Sequence, residues 1–496
     1  MKPAFYRRQW DTLRQNPKRE ALDRLARQIA LSFLDRYYFN DHHEAEYIRL
    51  LCEMATSFAG EELNKPGSAA LFGIIVEGLC DDFEELQTEE YNRVISRVVD
   101  FCRHAPGGER LHRELGAFGL VTYDDLFKRI EGIRSRAAER VLLKTPPRRI
   151  ILLSRVTIGA DVAVTSVLVQ RLMGLFPAAE IVLLGADKLA EIYGGNPRIR
   201  IREVAYSRRG NLVERFNSWF AVRSAIEDER KGQNDEEMIV IDPDSRLSQL
   251  GVLPVIDDDR YLFFNSRGSD AYPKKMSIAE LANHWINEVL EPGPFCHPQV
   301  WLTETTLATA GGFAAALRHA GCRKLIVINL GVGGNARKRL GDAFEERMIH
   351  RLLQEPGTVI LLDQGFGEEE LARSRALIRS AQWRGVATEA TVFGSWQGIG
   401  LSAGLVAVSA GIGEIAALIA HSDEFIGYDS ACQHIAAALG VPTYTLFAGS
   451  NNPRFIRRWS PCGPNRSEII HVDTLTHPPM FEIDDVITRL IDARAV

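Results

Sequence analysis

Strand-like and helix-like segments alternate along the chain from Arg149 onwards, and this alternation constrains the fold more than any other feature of the sequence. Short apolar runs such as "RIILLS", "EIVLLGA" and "MIVIDP" are separated by longer segments with helical apolar spacing, such as "DVAVTSVLVQRLMGLFP". Alternation of this kind is typical of βαβ units, which form a mostly parallel sheet with helices on its faces. We therefore predict a Rossmann-like α/β domain over residues 146–292.

The same pattern restarts beyond the Pro- and Gly-rich segment "EPGPFCHPQ", which we interpret as a linker. The runs "KLIVINL", "TVILLDQG", "EFIGY" and "TYTLFAG" predict the strands of a second Rossmann-like domain over residues 293–496. Two such domains on a short linker face each other across a cleft, and ligands bind outside the carboxyl ends of parallel strands. Functional residues are therefore expected in the loops that follow the strands.

Residues 1–145 differ from the rest, because helical apolar spacing recurs there and strand-like runs are scarce. Segments such as "EALDRLARQIALSFLDRYY" and "YNRVISRVVDFCRHA" predict an all-helical N-terminal domain. Its first segment, "FYRRQWDTLRQNPKRE", interleaves aromatic and basic side chains. This pattern indicates either a helix face packed on its own domain or peripheral contact with an anionic membrane surface.

Composition narrows the classes of function. With a net charge of -6, the chain has no basic excess that would favour nucleic acid as a partner. Its 7 cysteines form no C-x-x-C pair, which favours a reducing cytoplasm over a disulfide framework or a zinc ribbon. The apolar stretch 401–420 contains Glu414 and several glycines, so we predict a loop and a buried helix there rather than a membrane span. A cytoplasmic protein is expected, with peripheral contact at the cytoplasmic face of the inner membrane as an alternative.

A dense polar turn, "DSACQH" at residues 429–434, lies between a strand-like run and the helical segment "IAAALG". Asp429 or Ser430 suits a helix N-cap, but a cap needs one polar side chain and this turn has several. A helix N-terminus also presents free N–H groups and a partial positive charge, which suit a phosphate. The turn predicts either a cap or a diphosphate site, and its place at the end of a strand favours the diphosphate site.

A glycine-rich loop, "LGVGGNARKRLG", follows the run "KLIVIN". Gly331, Gly333 and Gly334 let the backbone approach a phosphate, and Lys338 supplies a positive charge. The P-loop spacing is absent, although the loop contains G-x-G-x-x-A, a weak dinucleotide-binding motif. Basic residues stand where that motif is normally apolar. We favour diphosphate binding over a nicotinamide-type site and over a solvated glycine turn.

A third loop, "SRVTIGADVAV", joins the first strand to a helix that is expected to begin near Asp161. Taken alone, this aspartate is predicted to be another N-cap. Across a cleft from a diphosphate it becomes a candidate general base, since a carboxylate there can accept the proton of an acceptor hydroxyl. Both roles are open at this point.

Together the three loops resemble the signatures of glycosyltransferase family 9, the bacterial ADP-heptose:lipopolysaccharide heptosyltransferase family. The family's R-L-S-S-L-G-D-V corresponds to "RVTIGADV", its glycine loop with Lys and K-R-W-P to "LGVGGNARKRLG", and its D-[ST]-G-x-x-H to "DSACQH". The resemblance covers residues 148–475. Ala160 and Ala431 replace glycines of the family pattern, Leu340 and Gly341 replace W-P, and residues 1–145 have no counterpart.

The resemblance implies an α/β fold of the GT-B type, in which two Rossmann-like βαβ domains face each other across a cleft, here with an added all-α N-terminal domain. It implies sugar transfer from a nucleotide-diphosphate donor with inversion and without an essential metal or other cofactor. Asp161 matches the general base, and Glu368 is a looser match to the acid near the donor ribose. The implied donor-binding residues are Gly331, Gly333, Gly334, Lys338, Glu368, Asp429, Ser430, Ala431 and His434.

We therefore predict a glycosyltransferase that moves a heptose or related hexose from a nucleotide-sugar donor, with an ADP-sugar favoured. The acceptor is predicted to be a hydroxyl of a glycan, glycolipid or protein, and the family implies lipopolysaccharide biosynthesis as the process. Two alternatives stay open. One is a nucleotide-sugar epimerase with the GT-B fold, and the other is a catalytically weakened binding or assembly protein.

Overall fold

A computed structural model describes residues 1–40, 42–80, 83–206, 211–231, 237–268, 272–396, 398–476 and 481–495. Within these ranges lie an N-terminal helical region, a five-stranded sheet and a seven-stranded sheet. Every neighbouring pair of strands is parallel. The α/β class predicted from the alternating pattern is confirmed, together with the added helical region.

The N-terminal helices turn their apolar faces inward around side chains such as Trp10 and Phe33, both 0% exposed. α1 starts on a proline, which lacks an N–H and is preorganised for a first helical turn. The helices described are α1 (Pro3–Leu13), α2 (Arg19–Asn40), α3 (Ala45–Met54), α4 (Glu61–Ala70), α5 (Glu85–His104), α6 (Glu109–Gly116) and α7 (Tyr123–Ser135), with a π-helical segment at Leu71–Val76. α7 begins with a capping box between Thr122 and Asp125.

The first sheet has five strands. They are β1 (Arg149–Leu153), β2 (Glu180–Gly185), β3 (Ile199–Glu203), β4 (Met238–Asp242) and β5 (Tyr261–Phe263), in the order β3-β2-β1-β4-β5. The helices of this part are α8 (Ile158–Ala160), which continues through a π-helical turn (Asp161–Thr165) into α9 (Ser166–Leu175), then α10 (Ala190–Tyr193), α11 (Asn217–Arg230) and α12 (Ile278–Val289). Because β1 lies at the centre, the loop after it emerges in the middle of the carboxyl edge of the sheet.

The second sheet has seven strands. They are β6 (Lys324–Asn329), β7 (Thr358–Asp363), β8 (Thr388–Val392), β9 (Gly404–Ser409), β10 (Glu424–Tyr428), β11 (Thr443–Phe447) and β12 (Ser467–His471), in the order β12-β11-β10-β6-β7-β9-β8. The helices of this part are α13 (Glu304–His319), α14 (Asp342–Leu352), α15 (Glu368–Trp383), α16 (Ile412–Ala420), α17 (Ala431–Ala438), α18 (Pro453–Arg458) and α19 (Ile483–Ala495). β10 pairs with β6, with Gly427 opposite Asn329, so the loops after these two strands emerge side by side.

Three apolar cores hold these layers together. One joins the N-terminal helices to one face of the first sheet, and a second runs from the opposite face of that sheet into the second sheet domain. The third lies on the other face of the second sheet. Tyr6 and Trp10, from the segment considered for membrane contact, are 4% and 0% exposed and belong to the first core. Their burial favours the interpretation that α1 packs on its own domain.

Two local expectations are wrong. The loop expected in the first half of the stretch 401–420 is instead the buried strand β9, whereas the buried helix expected there is confirmed as α16. The helix expected to begin near Asp161 begins at Ile158, with Thr157 at the cap position, so Asp161 is not an N-cap. In the part of the chain that the structure describes, one helix, Ile158–Leu175, is long and apolar enough to cross a membrane, and 67% of that window is buried inside the protein.

Candidate active site

The loop after β1 and the turn after β10 meet where the two sheet domains face each other. A β-carbon on Gly159 in α8 would lie 3.1 Å from the Cα of Ala431 and 3.4 Å from the Cδ2 of His434. A side chain at this position would therefore push the two loops apart. The structure thus brings the loop that carries Asp161 into contact with the turn predicted to bind the donor.

The Asp161 carboxylate is buried behind this contact, at 1% exposure. Its Oδ1 accepts hydrogen bonds from the backbone N–H of Arg155 at 2.7 Å and from the hydroxyl of Thr165 at 2.8 Å. Its Oδ2 accepts one from the hydroxyl of Ser154 at 2.7 Å. Burial raises the pKa of this carboxyl to about 6, even though the three donors favour the charged form. A pKa near 6 leaves most of the carboxyl ionised at neutral pH, as a proton acceptor requires.

The backbone before Asp161 is held in an uncommon conformation. Val156 has a φ of 77°, in the left-handed region that β-branched residues rarely adopt. Strain of this kind costs of order 1–3 kcal/mol and persists only where the surroundings impose it. Here the N–H of Val156 donates to the Ser154 hydroxyl at 2.9 Å, and the hydroxyl of Ser245 donates to the Ser154 carbonyl. The turn directs the N–H of Arg155 at the Asp161 carboxylate.

The predicted phosphate-binding lysine lies against the predicted donor turn. The Nζ of Lys338 is 2.5 Å from Oδ2 of Asp429, whose Oδ1 accepts a hydrogen bond from the Nε2 of Gln433 at 2.6 Å. Ser430 occupies the cap position of α17, but its side chain makes no capping hydrogen bond. Neither side chain considered as an N-cap therefore serves as one, and this N-terminus remains able to bind an anion.

His434 lies on the first turns of α17 and is 4% exposed. Burial lowers the pKa of its imidazole to about 4, so the ring is neutral at neutral pH. The ring centroid of Trp459 lies 5.9 Å from the His434 ring in an edge-on arrangement. Because a β-carbon on Gly159 would lie 3.4 Å from its Cδ2, this uncharged ring also contacts the first sheet domain.

The glycine-rich loop is exposed and open. Gly333 and Gly334 have φ of 58° and 84°, and a β-carbon on either would meet no atom within 4 Å among the described residues. A 3-10 turn at Ala336–Lys338 follows, and α14 begins only at Asp342. A dinucleotide motif requires the helix to begin within the glycine turn. The nicotinamide-type interpretation of G-x-G-x-x-A is therefore wrong.

Glu368 is the first residue of α15, and its side chain is exposed. Glu370 lies closer to the glycine-rich loop, because a β-carbon on Gly331 would be 3.4 Å from its Oε1. The Glu370 carboxylate also accepts a hydrogen bond from the N–H of Phe366 at 2.8 Å. The role matched to Glu368 stays a prediction, and Glu370 is a second candidate that sequence spacing did not distinguish.

A polar pair at the ends of β6 and β7, a buried Asn329 and a partly buried Asp363, was not predicted from the sequence. The Nδ2 of Asn329 donates to Oδ2 of Asp363 at 2.5 Å, and its Oδ1 accepts a hydrogen bond from the N–H of Gly331 at 3.2 Å. Burial raises the pKa of the Asp363 carboxyl to about 6. Asn329 and Asp363 each end an otherwise apolar strand, and this pattern in the sequence could have revealed the pair. This pair fixes the start of the glycine-rich loop.

Two parallel sheets on one linker, with the loops after β1 and β10 in contact, define a protein of the GT-B type. Residues 400–488 match the family model described as glycosyltransferase family 9 (heptosyltransferase). The matched stretch includes the turn Asp429–His434, whereas the other two loops lie outside it. This match confirms the predicted resemblance to glycosyltransferase family 9 over these residues.

Solved structures of similar fold include proteins described as a family 9 glycosyl transferase and as heptosyltransferases. A glycosyl transferase of family 9 from Veillonella parvula is 18% identical with a TM-score of 0.50, covering 72% of this chain and 98% of that chain. The Escherichia coli heptosyltransferase WaaC with ADP is 16% identical with a TM-score of 0.47, covering 70% of this chain and 99% of that chain. No curated protein matches the sequence. The likeness to the Veillonella protein supports the fold.

Proposed function

We propose that the chain transfers a sugar, a heptose or related hexose, from a nucleotide-diphosphate donor to an acceptor hydroxyl with inversion. The observation that carries this proposal is the contact of Gly159 with Ala431 and His434. Asp161, a buried carboxylate that is ionised at neutral pH, follows Gly159 by two residues, which supports a position for it close to the turn predicted to bind the donor. A proton acceptor and a diphosphate site on opposite sides of one cleft are what a glycosyl transfer needs.

In this proposal the second sheet domain holds the donor. Lys338 exchanges its ion pair with Asp429 for the phosphate oxygens, and the N–H groups at the start of α17 face the same charge. Preorganised donors of this kind stabilise the negative charge that develops on the departing diphosphate. The backbone of the glycine-rich loop lies on the other side of the diphosphate in this arrangement.

The acceptor hydroxyl attacks the anomeric carbon from the face opposite the diphosphate. A carbon–oxygen bond forms to the acceptor as the bond to the diphosphate breaks, and the diphosphate leaves with the bonding electrons. Asp161 accepts the hydroxyl proton. Because Asp161 is 1% exposed, the two domains must separate to admit the acceptor and close again for transfer.

An ADP-sugar is the favoured donor, and the acceptor is proposed to be a glycan, glycolipid or protein. No metal ion or other cofactor has a role in the proposal, so transfer should be unchanged by EDTA. The chain is proposed to work in the cytoplasm, with peripheral contact at the inner membrane as the alternative. Fractionation of cells that produce the protein, with and without a salt wash, distinguishes these locations.

The test is a transfer assay on the purified chain with a panel of nucleotide sugars and acceptor extracts. We expect nucleotide diphosphate to be released only when an acceptor is present. We also expect a glycosylated product. An epimerised donor formed without acceptor would indicate the epimerase alternative. Donor binding without turnover of any sugar would indicate a binding or assembly protein.

A further inference from the structure

A small polar pocket lies where three parts of the chain meet. Its walls come from the N-terminal helical region, from the segment after β5, and from α18 of the second sheet domain. The ionisable side chains that line it are Arg267, Lys274, Arg454, Arg458 and Glu85. Four cations and one carboxylate therefore line this site, on a chain whose net charge is -6.

Arg458 lines this pocket and is 6% exposed. One of its terminal nitrogens donates to the carbonyls of Pro273 and Met276, at 3.2 and 2.5 Å. Among the described residues no carboxylate pairs with it, and its Nε has no hydrogen-bond partner. Burial, together with Arg454 and Arg457, lowers the pKa of its guanidinium to about 10. A buried cation without an anionic partner is costly, so this position favours an added anion.

Two further buried side chains, Arg267 and Tyr272, have donor groups without a partner among the described residues and also favour a bound anion. Arg267 is 4% exposed, and its Nε pairs with Asp244 at 2.9 Å. Its two terminal nitrogens have no hydrogen-bond partner in the described ranges, and neither does the hydroxyl of Tyr272, which is 5% exposed. Buried donors in native proteins are nearly always satisfied by protein, water or ligand. A planar guanidinium with two open nitrogens matches the oxygens of a phosphate or carboxylate.

The acids near the pocket are engaged by other partners. Glu84 pairs with Arg454 at 2.7 Å, and Glu85 lies 3.4 Å from Arg134. Arg454 also donates to the carbonyl of Phe83 at 2.9 Å, which ties α18 to the helical region. Arg458 therefore has no carboxylate within ion-pair distance among the described residues, and the charge of Glu280 offsets its burial only in part.

The pocket borders both halves of the candidate active site. Ser266 lines it and accepts a hydrogen bond at 2.8 Å from the guanidinium of Arg155, whose backbone N–H binds Asp161. Trp459, the neighbour of Arg458 in the chain, lies 5.8 Å from the Arg155 guanidinium and 5.9 Å from the His434 ring. A group bound in the pocket would therefore lie beside the space that the acceptor must enter.

We propose that this pocket binds an oxyanion, a phosphoryl or carboxylate group, carried by the sugar acceptor. The N-terminal helical region is then part of the acceptor site. This inference rests on the proposed function and names its acceptor class as an anionic molecule. The hydroxyl to be glycosylated would reach Asp161 while the anion is held by Arg267, Arg458 and Tyr272.

Inorganic phosphate is the probe, titrated at constant ionic strength into protein saturated with ADP, so that the donor site is already filled. Binding is followed by calorimetry and by the rise in Tm that a ligand of the folded state produces. Arg458→Gln should weaken phosphate binding at least tenfold. Tyr272→Phe removes one hydroxyl that has no partner among the described residues, so folding should be unaffected and phosphate binding about fivefold weaker. Arg457→Gln, a change of the exposed neighbouring arginine, is the matched control and should bind as wild type.

Equal phosphate binding by wild type, Arg458→Gln and Tyr272→Phe would overturn the proposal. If Arg458→Gln fails to fold, Tyr272→Phe decides the outcome alone. A loss of affinity for ADP in these variants would also contradict it, because the pocket would then belong to the donor site. The ADP titration and acceptor-dependent transfer test the proposed function, whereas the phosphate titration tests the pocket. Failure of the proposed function is therefore distinguishable from failure of the pocket to bind an anion.

Discussion

The ammonium of Lys338 and the carboxylate of Asp429 lie 2.5 Å apart and join two loops that are 91 residues apart in the sequence. The Lys338 side chain is 25% exposed, whereas that of Asp429 is 8% exposed and is also bound by Gln433. The aspartate is therefore the fixed partner, and the lysine can move toward an incoming anion. We infer that Asp429 positions Lys338 at the N-terminus of α17.

Replacing Lys338 by alanine should weaken ADP binding by about tenfold or more, because one charge-assisted contact contributes roughly 1.5–3 kcal/mol. Calorimetric titration with ADP measures the effect. Arg347→Ala is the control, since it removes an exposed positive charge from the neighbouring α14. It should change ADP affinity by less than about twofold. Unchanged affinity in Lys338→Ala would remove this lysine from the donor site.

Replacing Asp161 by asparagine should lower single-turnover transfer by about 10²–10⁴-fold, the usual share of a positioned proton acceptor. ADP affinity should be nearly unchanged, because Asp161 is placed on the acceptor side. Wild-type transfer should rise with pH and level off above about 6, since burial raises the pKa of this carboxyl to about 6 and the ionised form is the active one. Transfer within a few-fold of wild type would leave Asp161 with a structural role only.

Replacing Thr165 by valine should shift this pH profile to higher pH. The Thr165 hydroxyl donates to Oδ1 of Asp161 at 2.8 Å and stabilises the charged carboxylate. Without that donor the pKa of Asp161 rises further, while the shape of the buried side chain is almost preserved. The rate measured well above the new pKa should stay close to wild type. A profile that does not move would show that the titrating group is not Asp161.

Replacing Gly159 by alanine should slow transfer more than it weakens ADP binding. The added methyl would lie 3.1 Å from the Cα of Ala431, so the two domains could not close fully. Gly174→Ala is the matched control, because a β-carbon there meets no described atom within 4 Å. We expect Gly159→Ala to lower the single-turnover rate at least tenfold, because small misplacements of reacting groups slow transfer strongly. We expect Gly174→Ala to leave the rate unchanged. Equal rates would mean that the contact seen here is not needed for transfer.

Replacing His434 by glutamine should make the protein less sensitive to acid. The folded-state pKa of this imidazole is about 4, below its ordinary value near 6.5, because of burial. The unfolded chain therefore binds the proton more readily, and the stability that the neutral ring contributes is present above pH 6.5 and is lost as the pH falls toward 4. Wild type should lose up to about 3 kcal/mol relative to the variant over this range, measured as the difference in denaturation midpoints. His319→Gln, a change of an exposed histidine, should show no such difference.

The sequence by itself determined the α/β class and the places where function was to be sought. Strand and helix periodicities are encoded within a few residues, so runs such as "RIILLS" and "EFIGY" could be assigned without knowledge of their neighbours. The polar turn after Tyr428 and the glycine-rich loop after Asn329 were found for the same reason, because each directly follows an apolar strand. The three loop signatures together were enough to indicate the family.

The tertiary structure alone decided which of these loops meet and how their groups are charged. The pairing of β6 with β10 is a long-range contact, and it brings Lys338 to Asp429. Glu368 and Glu370 are two residues apart, and the sequence does not show which of them faces Gly331. The orientation of α15 in the fold decides this. The pKa values of Asp161 and Arg458 follow from burial by segments distant in the chain. Desolvation depends on every neighbour in space, so no local pattern could have predicted it.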